Sequence, residues 1–221
     1  MYSLNKTNKF ISLTDELNKK GFVHLFNQTE EQLKQHLAEL GEIIFTTDVK
    51  VKPNSRPLVT SERALDFHTD HHKARYIAWH CHQQTDKGGE SILLDAETIY
   101  SQLSVEDRKS LKQIDLFEHK IFPDDKESNP LVHTSGGKNK FYYSFWLVSE
   151  GDKLNPALLE FQRLIKSAEP VRLTLQKNDI LIVDNHRILH GRTAIEGSKD
   201  RHLKRYWINN PLNKNRNGNN N

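Results

Sequence analysis

The sequence predicts a mainly β protein, an antiparallel sandwich or jelly roll with flanking helices. Three observations indicate this class: many short apolar segments of strand length, turn-forming residues between them, and few helical segments that could connect parallel strands. The 221 residues suffice for one domain with a sizeable core. We therefore expect a single domain over residues 1–209.

The first predicted elements are two helices with a strand between them. A short helix is expected over residues 14–20, ended by a glycine. A longer helix is capped by Thr29, carries three leucines at helical spacing, and ends at Gly41. The apolar segment 22–26 between the two helices is predicted to be a buried strand.

From residue 75 onward, the pattern is one of strands separated by turns. Glycine pairs at 88–89 and 136–137 and the Lys177-Asn178 pair mark turns. Two helical segments interrupt the series, one over 96–114 in one or two pieces and one over 156–168. The predicted strands cover residues 76–81, 91–94, 116–122, 141–145, 171–175, 179–183 and 206–208.

Composition and charge exclude several classes of partner. The 32 basic and 29 acidic residues leave a net charge of 32 − 29 = +3, and they are mixed along the chain, so no nucleic-acid partner is expected. The longest aliphatic run, Ile180 to Val183, is far shorter than the roughly 20 residues of a membrane span. Because Cys81 is the only cysteine, a reducing, cytoplasmic location is predicted. The asparagine-rich residues 210–221 are expected to be a disordered tail.

The histidines carry the first indication of chemistry. His68 and Asp70 form a His-x-Asp pair, and His190 lies far along the chain in a Leu-His-Gly-Arg segment. Two imidazoles and one carboxylate can occupy one triangular face of an octahedral metal and leave three positions open, an arrangement that suits Fe(II). The pair alone is weak evidence, but it precedes a glycine-rich turn, the late histidine and an arginine fifteen residues after that histidine, Arg205.

Over residues 67–208 the chain resembles the Fe(II)- and 2-oxoglutarate-dependent dioxygenases of the taurine dioxygenase and clavaminate synthase-like superfamily. The resemblance rests on four elements in the family's order: His68-Thr69-Asp70, Gly88-Gly89-Glu90-Ser91, the strand and loop over 179–192, and the two arginines of segment 201–205. It implies a double-stranded β-helix, which is a jelly roll, with the metal at one mouth of the barrel. It also implies 2-oxoglutarate and O2 as co-substrates.

The resemblance further implies a role for each matching residue. His68, Asp70 and His190 are expected to bind Fe(II) and to be the catalytic centre. Arg205 is expected to bind the far carboxylate of 2-oxoglutarate, because a guanidinium can hold a carboxylate with two hydrogen bonds.

Two further co-substrate contacts are expected. Ser91 would add a hydroxyl hydrogen bond to the same carboxylate, and Arg201 would assist near the keto-acid end or behind the direct contacts. Since Arg201 and Arg205 are four residues apart, they share one face of a strand and can both point into the barrel.

The activity implied is oxidation of an unactivated C–H bond of a small polar metabolite. Hydroxylation of an amino acid or an amino-acid derivative is the leading expectation, with the substrate free or presented on a carrier protein. Desaturation, cyclisation and epimerisation stay open, as does a homo-oligomeric state. Halogenation is not expected, because the family's halogenases lack the carboxylate that this chain retains in Asp70.

A second interpretation uses a different set of residues. His80 and His82 lie two apart on a predicted strand, and Asp86 follows them, which weakly resembles the pattern of small metal-binding cupins. This alternative predicts a non-oxidative isomerase or small-ligand binder. The three tryptophans, Trp79, Trp146 and Trp207, fall within or beside predicted strands and are expected to belong to the core.

Overall fold

The architecture consists of two antiparallel β-sheets with helices packed on their outer faces. The computed structural model describes residues 12–52, 54–117 and 121–209. The segment expected to be a disordered tail, 210–221, lies outside the described residues. The helices are α1 Leu13–Lys20, α2 Glu30–Leu40, α3 Ala96–Tyr100, α4 Val105–Leu111 and α5 Pro156–Ser167.

Thirteen strands lie within the described residues, and nine of them form the two main sheets. In chain order they are β1 Phe22–Leu25, β2 Glu42–Lys50, β3 Leu65–His68, β4 Tyr76–Gln83, β5 Ser91–Asp95, β6 Asp115–Leu116, β7 Asn129–Pro130, β8 Val132–Ser135, β9 Lys138–Phe141, β10 Val171–Leu173, β11 Ile180–Asp184, β12 Ile188–Arg192 and β13 His202–Asn209. One sheet has the order β1-β11-β4-β13-β2 and the other β10-β5-β12-β3. This arrangement is a jelly roll, so the predicted fold class is confirmed.

Apolar side chains between the sheets form the barrel interior. Trp79 and Leu181 of the five-stranded sheet meet Leu93 and Ile188 of the other sheet there. The outer face of the five-stranded sheet packs on α1 and α2, while α3, α4 and α5 cover the outer face of the four-stranded sheet. Because both faces of β11 are covered, all five of its residues are buried and its sequence is continuously apolar up to its final aspartate.

Local sequence signals set the helix ends as predicted. The hydroxyl of Ser12 accepts from the Asp15 amide at the start of α1, and Gly21 ends that helix at φ 80°. Thr29 and Gln32 form a reciprocal capping box at the start of α2. The predicted helical region over 96–114 is confirmed as two helices, α3 and α4.

Two predicted strands are wrong over most of their described length. Within 116–122, only Leu116 lies in a strand, and Phe122 instead covers the barrel end from a loop, with its ring 4.8 Å from that of His71. In 141–145 the strand ends at Phe141. The Tyr142 amide donates to the Leu131 carbonyl at 2.9 Å, and the backbone beyond it bonds to Thr69, whose amide donates to the Tyr143 carbonyl at 2.6 Å.

Two strands at the sheet edges were not predicted. Strand β2 is an edge strand whose side chains are mostly exposed or half-buried, so its sequence lacks a clear alternation. Strand β3 is only four residues long and exists through its pairing with β12. The strand conformation of β2 and β3 is therefore specified by pairing with distant strands and not by their own residue pattern.

The packing of α5 on the four-stranded sheet yields a matched pair of substitutions. Leu158→Ala is expected to lower the free energy of unfolding by about 2–5 kcal/mol, because Leu158 is fully buried in the cluster beneath α5. Leu159→Ala is the control, since Leu159 is exposed on the same helix and should change stability by no more than about 0.5 kcal/mol. Urea denaturation of both variants measures the difference; equal losses would contradict this packing.

Candidate metal and co-substrate site

Strand pairing places the two candidate histidines side by side. His68 is the last residue of β3, His190 is the third residue of β12, and the two are direct partners in the antiparallel register. Their ring centroids are 4.4 Å apart. Asp70 lies two residues beyond His68, where the chain leaves β3, and its carboxylate reaches the same point. The fold therefore brings together the three residues that the sequence predicts as a ligand set.

The geometry of this cluster suits a metal ion. His68 Nε2 is 3.9 Å from Asp70 Oδ1, and His190 Nε2 is 3.8 Å from Asp70 Oδ2. All three side chains are buried, and their ligand atoms lie within 4.8 Å of one another. Neither ring nitrogen of His190 has a hydrogen-bond partner among the described residues. A buried imidazole in this condition fits a metal ligand, because coordination would satisfy one of its nitrogens.

Protonation states in the cluster favour coordination. His68 Nδ1 is 2.8 Å from the Asp66 carbonyl and donates to it, which directs the free electron pair of Nε2 toward the cluster. Burial lowers the pKa of His68 and lowers that of His190 to about 3, so both rings are neutral at pH 7. Burial acts to raise the pKa of Asp70, but neighbouring Arg205, the two histidines and a Trp207 hydrogen bond outweigh it and lower that pKa. The donors are therefore two neutral imidazoles and one carboxylate.

Asp70 is held from three sides. Arg205 Nη1 donates to both carboxylate oxygens at 3.0 Å, and Trp207 Nε1 donates to Oδ2 at 2.8 Å. The backbone amide of Asp70 donates to Asn185 Oδ1 at 2.8 Å, and Asn185 Nδ2 donates in turn to the Ala74 carbonyl at 2.9 Å. A buried carboxylate needs such partners, and this set fixes its orientation.

Sequence reasoning missed two of these contacts. Trp207 is buried, as expected for the core, but its indole also donates to Asp70. Asn185 directly follows β11, and a polar residue at the end of an otherwise apolar strand was the available signal for its role.

The predicted co-substrate residues surround one pocket next to the cluster. Its lining includes His68, His190, Ser91, Arg201 and Arg205. Ser91 is the first residue of β5 and pairs with Arg192 of β12. The structure thus brings five of the six predicted site residues to the wall of one cavity between the sheets, and the sixth, Asp70, lies behind its two histidines.

The two predicted arginines differ in charge environment. The Arg205 guanidinium is paired with Asp70, as described above. Arg201 is 4% exposed, and its Nε donates to Gln84 Oε1 at 3.2 Å, but no carboxylate lies within ion-pair distance of it among the described residues. Burial lowers the pKa of Arg201 to about 9, and the nearby Arg192 acts in the same direction. Arg201 is therefore a buried cation that lacks a counter-ion, which indicates an anion-binding position.

The glycine turn before β5 makes room for this arginine. Gly88 and Gly89 have φ of 74° and 70°, a region that glycine adopts without strain. A Cβ on Gly88 would lie 2.1 Å from the Ala194 carbonyl oxygen, and one on Gly89 would lie 3.2 Å from Arg201 Cδ. The two glycines are thus required by backbone conformation and by close approach of the segment that precedes β13.

One tryptophan prediction is wrong. Trp146 was expected in the core, but it is 46% exposed in a short 3-10 helix, Phe145–Leu147. Its ring centroid is 4.9 Å from that of His68, so it lies beside the cluster with part of its ring exposed. Trp79 is buried as predicted, and its ring meets that of His190 edge-on at 4.9 Å.

The alternative cluster does not form with the predicted carboxylate. Asp86 Oδ1 accepts from the Ser198 amide at 2.6 Å, which caps a turn, and Asp86 belongs to no group of three candidate ligands in the described part of the chain. His80 and His82 are adjacent, with ring centroids 4.7 Å apart, but their nearest carboxylate is that of Glu30 on α2.

A jelly roll that carries two imidazoles and one carboxylate at one cavity defines the class of the mononuclear non-haem iron oxygenases. The family model described as "Taurine catabolism dioxygenase TauD, TfdA family" matches residues 2–207. The chain therefore belongs to this family, and the resemblance seen in the sequence is confirmed.

Individual relatives agree with this family. "Dioxygenase str8" of Strobilurus tenacellus is 29% identical over 167 residues, which cover 67% of this chain and 39% of that protein. An asparagine oxygenase with Fe(II), (2S,3S)-3-hydroxyasparagine and succinate has a TM-score of 0.68 at 16% identity, covering 80% of this chain and 63% of that one. The non-haem iron oxygenase OrfP with Fe, succinate and (3S)-hydroxy-L-Arg has a TM-score of 0.67 at 20% identity, covering 83% and 65%.

The chain spans about two-fifths of the curated relative and a little under two-thirds of the solved structures that it matches. Within the described residues, no helix combines the length and apolarity needed to cross a membrane.

The half-buried ring of His186, whose Nδ1 is enclosed by protein, predicts a pH dependence of stability. Burial lowers the pKa of His186 from 6.5 to about 4, so below pH 6.5 the unfolded chain binds a proton that the folded protein does not. The stability from neutral His186 is complete above pH 6.5 and declines as the pH falls toward 4. Relative to His186→Gln, the wild type should lose up to about 1.4 kcal/mol more per pH unit in this interval.

Urea denaturation of the metal-free protein at several pH values between 7 and 4 measures this difference. His133→Gln is the matched control, because His133 is exposed on β8 and its replacement should leave the wild-type slope unchanged. Parallel slopes for the wild type and His186→Gln would show that His186 is not buried as a neutral ring.

Proposed function

We propose that this protein is an Fe(II)- and 2-oxoglutarate-dependent oxygenase. One observation carries the proposal: a buried His–Asp–His cluster adjoins a cavity that also holds Arg201, a buried arginine without a counter-ion in the described part of the chain. The first feature suits a divalent metal, and the second suits the distal carboxylate of a chelating keto acid. Membership of the dioxygenase family supports the same reaction class.

His68, Asp70 and His190 would hold the iron. Their donor set occupies three positions and leaves three for the co-substrate and dioxygen. The iron, once bound with its co-substrate, supplies the oxidising chemistry. The surrounding protein keeps the two imidazoles neutral and the carboxylate negative. Arg205, Trp207 and Asn185 fix the orientation of Asp70, and apolar side chains around the cluster exclude water.

Arg201, rather than Arg205, is proposed to bind the distal carboxylate of 2-oxoglutarate. This revises the expectation from the sequence, in which Arg205 took that role. The physical reason is charge: Arg205 already pairs with Asp70, whereas Arg201 is buried and uncompensated. Ser91 lines the same cavity and would add a hydroxyl donor to that carboxylate. Arg205 would act on the metal by holding its carboxylate ligand.

An amino acid or an amino-acid derivative is the proposed substrate, and hydroxylation the proposed outcome. The support comes from the solved relatives, which contain 3-hydroxyasparagine in one protein and hydroxylated arginine in the other. In this chain the exposed ring of Trp146 flanks His68 and offers the substrate a surface next to the metal position. Because Asp70 is retained, halogenation is not proposed.

Three finer expectations from the sequence belong to this proposal. They are presentation of the substrate on a carrier protein, assembly into a homo-oligomer, and a cytoplasmic location. The cytoplasmic location rests on Cys81, a free and buried cysteine. Burial raises the pKa of its thiol to about 11, which is typical of an unreactive thiol.

Anaerobic visible absorption tests the co-substrate assignment directly. Adding Fe(II) and then 2-oxoglutarate is expected to produce a broad metal-to-ligand charge-transfer band, because the keto acid chelates the iron. His190→Ala should abolish the band, while His133→Ala, on an exposed strand, should retain it. Amino acids that bind beside the iron should shift the band. No band despite bound iron in the wild type would overturn the proposed function.

Conservative substitution of the two arginines separates their roles. Arg201→Lys should raise the 2-oxoglutarate concentration at half-saturation by about 10- to 100-fold, because the charge persists but the paired hydrogen bonds do not. Arg205→Lys should chiefly weaken iron retention, since it disturbs the partner of Asp70. The band measures both quantities, by titration with 2-oxoglutarate and with Fe(II). The reverse pattern would restore Arg205 as the carboxylate-binding residue.

A further inference from the structure

We propose that a second metal site, for Zn(II), lies on the outer face of the five-stranded sheet, with Glu30, His80 and His82 as its ligands. Glu30 is the first residue of α2, and both histidines lie on β4. Two imidazoles and a carboxylate are a set of three protein ligands that zinc accepts, with the fourth position taken by water or another side chain.

The distances within this group are close to those of a coordinated ion. His80 and His82 share one face of β4, and their ring centroids are 4.7 Å apart. Glu30 Oε1 is 3.7 Å from His80 Nδ1, and the three ligand atoms lie within 4.8 Å of one another. In a tetrahedral zinc site, ligand atoms are about 3.3 Å apart. The Glu30 side chain is 66% exposed and free to rotate, so small side-chain movements would close the site.

His80 provides an independent indication of a ligand. It is 2% exposed, and neither of its ring nitrogens has a hydrogen-bond partner among the described residues. A neutral imidazole has one donor and one acceptor, and burying both without partners is unfavourable. A metal bound to one nitrogen would remove half of this deficit. A surface cleft reaches His82 from solvent; Asp200 on its wall favours a cation, whereas Lys50, Lys199 and Arg201 oppose one.

The charges around the group are compatible with a cation. Burial lowers the pKa of His80 and of His82, so both rings are neutral and able to bind metal at pH 7. Lys204 lies on the same face and opposes a cation, whereas Glu30 favours one. The His202 ring is 4.6 Å from that of His82, and its Nε2 is engaged by Asp48 Oδ1 at 2.5 Å, so only its Nδ1 could serve as a fourth ligand atom.

This site is distinct from the iron site because the sheet separates them. His80 and His82 point outward from β4 beneath the start of α2, whereas Trp79 points inward and contacts His190. A third group, formed by His71, His72 and Asp125, is a poorer candidate, since Lys73 Nζ already lies 3.0 Å from the Asp125 carboxylate.

A zinc ion here would join the first turn of α2 to the central strand of the sheet. Otherwise α2 is held by its apolar face, through Leu33, Leu37 and Leu40. Since Glu30 is remote in the chain from the two histidines, zinc should bind the folded state preferentially and stabilise it. The ion would therefore act as a structural clamp on the outer layer.

Zinc stoichiometry tests this proposal in the full, untagged chain. The iron site also accepts zinc, so calorimetric titration of the metal-free wild type should show two tightly bound equivalents. His80→Asn and His82→Asn should each bind one, and His190→Ala should also bind one. The double variant of His80→Asn and His190→Ala should bind none. Zinc should raise the melting temperature of His190→Ala but not that of the double variant.

The control is His133→Asn, which should still bind two equivalents because His133 is exposed and belongs to no candidate group. One equivalent in the wild type that disappears in His190→Ala would overturn the second site and leave the iron site intact. One equivalent that disappears in His80→Asn would instead count against the iron site. Two equivalents in both His80→Asn and His82→Asn would assign the second ion elsewhere and overturn the proposal.

Discussion

The buried carboxylate of Asp70 is the group on which the site depends. It lies in an interior where an isolated negative charge would be strongly unfavourable, so the fold must supply partners for it. Strand β13 provides Arg205 and Trp207, and the end of β11 provides Asn185. Three segments that are far apart in the chain therefore converge on the residue that joins the two histidines into one cluster.

The same convergence explains why Arg205 is paired with a carboxylate and Arg201 is not. Arg205 approaches Asp70 and becomes part of an ion pair, whereas Arg201 enters the cavity four residues earlier, where it donates to the neutral side chain of Gln84. The cavity thus has a metal-binding end whose carboxylate is paired with Arg205, and a separate arginine, Arg201, that has no carboxylate partner among the described residues. This polarity matches a molecule that chelates a cation at one end and carries a carboxylate at the other, and it discriminates against neutral ligands.

Much of the fold could be predicted from local signals. Thr29 and Gln32 mark the start of α2 because a capping box acts within one turn, and β11 is recognisable because both of its faces are buried. The failures lie where structure depends on distant pairing. Strand β3 forms through its register with β12, and the segment after Phe141 bonds to Thr69 instead of extending its strand.

The sequence by itself predicted the donor set, because His68, Asp70 and His190 occur in the order that the resemblance to the dioxygenase family requires. Only the tertiary structure decided which arginine pairs with a carboxylate and that Trp146 is exposed. It also decided that Glu30, and not Asp86, lies beside His80 and His82. The physical reason is common to all three. Burial, ion pairing and ligand distance depend on which strands are neighbours and in which register, and residue spacing along the chain does not specify that.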